Sequence, residues 1–153
     1  MATPEDNLAR LGFSVPEVVK PVAAYVPTVR TGNYVFTSGQ LPMRDGRLVT
    51  AGKVGGEVTL EEAQACAQQC VLNALAAIKA EIGDLSGVTR VVKAVAFVAS
   101  TPDFTAQPQV ANGASELLGD VFGEAGRHAR SAVGVPVLPL DAPVEVELIV
   151  EVS

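Results

Sequence analysis

Residues 144–152 read Val-Glu-Val-Glu-Leu-Ile-Val-Glu-Val, and this alternation admits one regular structure. Side chains of a strand point to opposite faces with a period of two. Val144, Val146, Leu148, Val150 and Val152 therefore share an apolar face, while Glu145, Glu147, Ile149 and Glu151 share the other. The valine face has to be covered by the rest of the fold. Residues 89–99 form a second strand whose apolar run is almost continuous, the pattern of a central strand covered on both faces. Helices would supply one cover and a neighbouring subunit the other.

Two helical periods provide the helices. Thr59-Leu-Glu-Glu62 is a capping box, with Glu62 expected to reach back to the Thr59 backbone. Leu60, Ala63, Ala67, Cys70, Val71, Ala74, Leu75 and Ile78 then recur at helical spacing until Gly83 ends the run. A second helix is expected over residues 106–122, with Pro108 in its first turn and Val110, Ala114, Leu117, Leu118 and Val121 as its buried stripe. Gly113 in its middle costs about 1 kcal/mol relative to Ala. Either a close approach by a backbone or ligand explains it, or it is tolerated without a reason.

The remaining chain reads as hairpins and an arm. Runs at 26–29 and 34–38 flank the turn Thr31-Gly32-Asn33 within a β section spanning 22–49, and Asp45-Gly46 marks a further hairpin. A glycine-rich loop covers 52–56. Residues 1–20 form an N-terminal arm with a helical turn or two between Asp6 and Phe13, after which Pro16 and Pro21 keep the chain extended. Residues 130–137 are expected to form a hairpin with 144–152, with Ser131, Val133 and Val135 on the core face and Arg130, Ala132 and Gly134 on the outer one. Pairing 136 with 145 sets Arg130 opposite Glu151, a surface ion pair, and about 20 Å from Glu145. Arg130 and Glu145 then act together only across a subunit boundary or after a change of register. The predicted fold is a single α+β domain over 1–153, with one mostly antiparallel sheet and two helices on one face.

Composition narrows the function. A net charge of −6, with the eleven Lys and Arg scattered along the chain, argues against nucleic-acid binding. A mean hydropathy of +0.32 is high for a chain with 18% charged residues. No apolar run approaches the roughly 20 residues of a membrane span, so the excess reads as buried subunit interface. The N-terminus shows no secretory signal, and a cytoplasmic protein is expected. Cys66 and Cys70 read as buried thiols, and with one distant histidine, His128, they are too few for a metal site.

Several stretches resemble the YjgF/Rid family, also labelled endoribonuclease L-PSP. The first runs from Tyr25 to Pro42 and ends Thr-Ser38-Gly39-Gln40-Leu-Pro42. Asn112 follows in the second helix, then Arg130-Ser131, Leu138-Pro139 and Val144-Glu145-Val146-Glu147, with order and spacing agreeing from about residue 20 onward. The resemblance implies a chorismate-mutase-like fold and a homotrimer with three pockets between subunits. It implies hydrolysis of reactive imines and enamines, such as 2-iminopropionate, to 2-oxo acids and ammonia, without a cofactor. It assigns Arg130 to the substrate carboxylate, which a planar guanidinium grips with two parallel bonds, and Glu145 to the attacking water, with a raised pKa. Tyr25, Ser38 and Asn112 align with residues that line the pocket, and Gly39 offers its backbone. The alternatives are interface packing for Tyr25, a turn hydrogen bond for Ser38 and a plain helix-face polar residue for Asn112.

The departures are specific. Ala132 stands where many members carry Cys, so a backbone role survives there and a thiol role does not. Gly134 replaces a commonly acidic residue. His128, two residues before Arg130, is either a pocket acid or base, or a rim histidine. A divergent branch with a reshaped pocket mouth is expected. The competing functions are a non-catalytic binder of small carboxylates and a ribonuclease.

Overall fold

The computed structural model describes residues 2–21 and 23–153. Met1 of the predicted arm and Val22 at the head of the predicted β section lie outside the described residues. In chain order the elements are α1 (Pro4–Arg10), β1 (Thr28–Thr31), β2 (Tyr34–Thr37), β3 (Met43–Arg44), β4 (Arg47–Leu48) and α2 (Leu60–Ile82). There follow β5 (Val88–Ala99), α3 (Gln107–Phe122), β6 (Ala129–Val135) and β7 (Val144–Val152). Five strands form one sheet in the order β1-β2-β7-β5-β6, and β3 and β4 form a separate ribbon. All neighbours in the large sheet are antiparallel except β5 and β6, which are parallel.

Local chemistry sets most of these boundaries. The ribbon turns through Asp45 (φ 54°) and Gly46 (φ 80°), both left-handed, as a two-residue hairpin requires. At α2 the Thr59 hydroxyl accepts from the Glu62 amide at 3.1 Å, which is the first half of the predicted capping box. The complete box stands instead at α1, where Thr3 and Asp6 cap each other. A helical turn or two is expected between Asp6 and Phe13, and the helix starts two residues earlier, at Pro4, because that box starts it.

Helices α2 and α3 cover one face of the sheet, and α1 packs against the end of α3, where Asn7 Nδ2 donates to the Val121 carbonyl at 2.8 Å. The valine face of β7 is wholly buried beneath them, as its alternation predicts. Over residues 70–78 every side chain of α2 is buried. Asn73 shows why that includes polar ones: its amide donates to the Leu41 and Met43 carbonyls at 3.0 and 2.9 Å, tying the ribbon down over α2. Cys66 and Cys70 are buried free thiols, and burial pushes both upward in pKa. Gly113 has the structural reason left open above. A Cβ there would sit 2.4 Å from the Gln64 carbonyl oxygen, so it lets α3 cross α2 at close range.

Two expectations for the C-terminal part are corrected. Residues 130–137 and 144–152 do not form a hairpin, because β5 lies between them. The connection over 136–143 is long enough to step across the end of β5, where the Ala99 amide donates to the Pro143 carbonyl at 2.9 Å. A strand as apolar as β5 needs a partner on each edge, and β6 and β7 are those partners. Glu151 accordingly lies beside Tyr34 and Arg90, away from Arg130. The faces of β6 are also reversed. Its register pairs Arg130 with Ala94 and Ala132 with Ala96, both on the buried face of β5. Arg130, Ala132 and Gly134 therefore lie under α3, and Val133 points outward with 45% exposure.

Candidate active site

The predicted site residues fall into two groups. The first lies on the outer face of the sheet. Gln40 pairs with Val146 through bonds of 2.8 and 3.0 Å, which lays the chain after β2 alongside the start of β7. Gly39 is thereby pressed against Glu145, and a Cβ at Gly39 would sit 2.2 Å from Glu145 Oε1. Burial pushes the Glu145 carboxyl up from the ordinary carboxylate range, and the Glu147 carboxylate beside it adds to the effect. Tyr25 is 48% exposed and shares with Gly39, Gln40, Leu41 and Leu140 a recess of about 80 Å³. Ser38 donates its hydroxyl to the Val26 carbonyl at 2.6 Å and its amide to Pro27 at 2.8 Å. That is the turn hydrogen bond of the two alternatives, and it leaves the Ser38 oxygen as an acceptor.

The second group lies between β6 and α3. Arg130 Nη1 donates to Asn112 Oδ1 at 2.8 Å and to Ser115 Oγ at 3.2 Å, and Nη2 donates to the Pro108 carbonyl at 3.4 Å. A guanidinium carries five N–H donors. Three contacts run to α3, the one from Nη2 long, and Nε makes none, which leaves the Nε side of the fork available to a carboxylate. Ala132 packs its methyl against the core from the same side of β6 and offers the site only its backbone. A Cβ at Gly134 would sit 2.7 Å from Gln107 Nε2, so a larger residue there displaces that side chain.

His128 does face toward Arg130, through an intermediary. Its Nε2 lies 2.9 Å from Ser115 Oγ and its Nδ1 2.6 Å from the Gly126 carbonyl. With Ser115, Gly119, Gly126, Arg127 and Arg130 it lines an open cleft of about 300 Å³. Ser115 and the Gly126 carbonyl are absent from the sequence reading. The available signal was Asn112-x-x-Ser115, two polar residues three apart on one helix face, which becomes meaningful once Arg130 is placed under α3.

Within one protomer the two groups do not meet. Glu145 pairs with Phe97, Phe97 pairs with Val133, and Arg130 lies three residues before Val133. Two strand spacings across and three residues along put the backbones about 14 Å apart, with the side chains on opposite faces. A larger cavity, about 750 Å³, lies between the N-terminal arm and the β3–β4 ribbon and includes none of the predicted site residues. Among the described residues no three His, Cys, Asp or Glu side chains gather as a metal site, and no helix is long and apolar enough to cross a membrane.

Residues 5–152 match the family described as "YjgF/chorismate mutase-like, putative endoribonuclease". The chain belongs to this YjgF family. Protein TCP17 of Trypanosoma cruzi is 47% identical over 148 residues, covering 96% of this chain and 92% of that protein. A 2-iminobutanoate/2-iminopropanoate deaminase of Dermatophagoides farinae is 33% identical, covering 92% of this chain and 95% of that one. Among solved structures, Atu1372 of Agrobacterium tumefaciens, a protein of unknown function, superposes with a TM-score of 0.91 at 46% identity, covering 98% and 92% of the two chains. The YjgF fold is thus shared across nearly the whole chain, N-terminal helix included, and the family contains at least one imine deaminase.

Proposed function

We propose that this protein is an imine and enamine deaminase, acting on small 2-imino acids in pockets between the subunits of a homotrimer. The observation that carries the reading is the guanidinium of Arg130, held by three bonds to α3 from Nη1 and Nη2, with none made by Nε. The Nε side takes the substrate carboxylate. Glu145 of an adjoining protomer supplies the second function, because the Glu145 of the same protomer faces the other way. Its raised pKa suits a carboxylate that accepts a proton from water near neutrality. Water adds to the protonated imine carbon, a proton passes to the amine nitrogen, and ammonia leaves as the carbonyl forms. Holding the acid and the water in register is the main contribution, and no side-chain nucleophile is required.

Assembly is supported by the outer face of the sheet. Val29, Phe36 and Val133 are 55%, 40% and 45% exposed, and their pairings place them on the same face as Glu145. Single exposed apolar residues are ordinary, whereas several on one sheet face support an interface.

The test is ammonia release from enzymatically generated 2-iminopropionate and related imines. Acceleration over buffer that disappears in Arg130→Ala is expected; no acceleration by the intact assembly refutes the activity. A second reading, a non-catalytic binder of small carboxylates, is favoured by Ala132 and by the committed hydroxyl of Ser38. It predicts calorimetric binding of 2-oxo acids without turnover.

A further inference from the structure

With the His128 imidazole neutral, the contacts around Ser115 have one consistent direction. The Gly126 carbonyl is an acceptor, so His128 Nδ1 must carry the proton that meets it at 2.6 Å. In neutral imidazole the other nitrogen is then a bare lone pair. Nε2 accepts, and the partner 2.9 Å away, the Ser115 hydroxyl, must donate. With its proton spent, the Ser115 oxygen is left as an acceptor aimed at Arg130 Nη1, 3.2 Å away. Main-chain carbonyl, imidazole, hydroxyl and guanidinium thus form a chain in which each group has one role.

We infer that Ser115 and His128 are positioning residues for Arg130: the chain fixes the rotation of the guanidinium so that its Nε side is presented to the carboxylate before the ligand arrives. This rests on the deaminase reading of the site and adds to it two residues that do not touch substrate. The need is plain from the fold. Arg130 is a long side chain on an edge strand, bonded through its main chain along one side only. Asn112 supplies one good acceptor, and the Pro108 carbonyl, 3.4 Å from Nη2, adds only a long bond, so rotation about the Asn112 bond keeps some freedom. A second acceptor on Nη1 removes that freedom, and ordering done in advance is not charged against binding. The same geometry bears on the two readings of His128 and favours the rim histidine. Both ring nitrogens are occupied, by Gly126 and Ser115, so the ring acts behind the site instead of as an acid or base within it.

The chain contains one histidine, so its ring nitrogens can be assigned by ¹⁵N NMR without ambiguity. The neutral form is expected to be protonated at Nδ1, with the Nε2 resonance moving toward a free lone pair in Ser115→Ala. Calorimetry with pyruvate and imine kinetics supply the second readout. Ser115→Ala and His128→Phe are expected to weaken pyruvate binding roughly tenfold and raise KM with kcat within about twofold, the pattern of lost ground-state and transition-state binding alike. Ser115→Thr, which keeps the hydroxyl, restores both. A wild-type ring protonated at Nε2 overturns the inference, as does unchanged binding in folded Ser115→Ala while Arg130→Ala has lost it. Unchanged binding and turnover in Arg130→Ala overturn the site itself, a distinct outcome.

Discussion

Arg130 and Glu145 point to opposite faces of one sheet, on strands separated by β5. No rotamer change brings them together over a small acid within one protomer, so any chemistry that uses both belongs to an assembly. The two groups are also prepared differently: the guanidinium is held by bonds, and the carboxyl is tuned by burial.

Arg130→Lys is the discriminating substitution at the first group. Lysine keeps the charge and loses both the fork that meets Asn112 and Ser115 and the two-bond edge for a carboxylate. Charge-assisted bonds are worth about 1.5–3 kcal/mol each, so the affinity for 2-oxo acids is expected to fall on the order of a hundredfold, measured by calorimetry, with little change in thermal stability.

Gly39→Ala tests the second group. The new methyl collides with the end of the Glu145 side chain rather than with main chain, and a flexible carboxylate can swing away. The expected result is a fold stable to within about 1 kcal/mol by urea denaturation and an imine-hydrolysis rate reduced at least tenfold, because the carboxylate no longer lies where it holds water.

Gly113→Ala has the opposite profile. Its methyl meets the Gln64 main chain, which cannot yield without moving α2 from α3. Overpacking of this kind costs about 1–3 kcal/mol, expected as a lowered urea midpoint. Because α3 carries Asn112 and Ser115, ligand affinity should fall with it.

The Glu145 carboxyl makes a signed contribution to stability. Its folded pKa lies above the ordinary value near 4.5, so between the two the folded chain holds a proton that the unfolded chain has released. That contribution is full below the ordinary value and is lost as pH rises through the raised one. Glu145→Gln should therefore gain stability over wild type as pH rises from 4 to 7, read from paired urea midpoints. A difference that is flat with pH contradicts the assignment.

Val133→Glu places a charge on the outer face beside Phe97 without touching the core. The expected outcome is dissociation to protomers in sedimentation, with native circular dichroism and lost turnover. An assembly of unchanged mass removes that face from the interface.

What could be read from the chain beforehand divides along physical lines. Helix α2, the Asp45-Gly46 turn, the apolar strand β5 and the two faces of β7 were legible because each is specified by residues close in sequence. The neighbours of β7 were not. Adjacent strands usually pair, and nothing in residues 136–143 states that the connection crosses a strand. The faces of β6 were hidden for another reason: in Ala-Arg-Ser-Ala-Val-Gly-Val the polar and apolar residues do not separate by period two, so only the register with β5 decides. Arg130, Glu145, Gly39 and Asn112 were singled out through their family spacing. Ser115 and the Gly126 carbonyl have no such mark, since their role depends on a helix and a strand meeting in space.

The placement of β6 at the margin of the sheet has a dynamic consequence. A strand secured along one edge opens at less cost than those flanked on both sides, so its amides should exchange with solvent sooner than those of β5 and β7. A carboxylate gripping Arg130 ties that margin to α3 from the outside. Occupancy should thus be legible as slowed deuterium uptake at residues 129–135, even for a ligand that is never turned over.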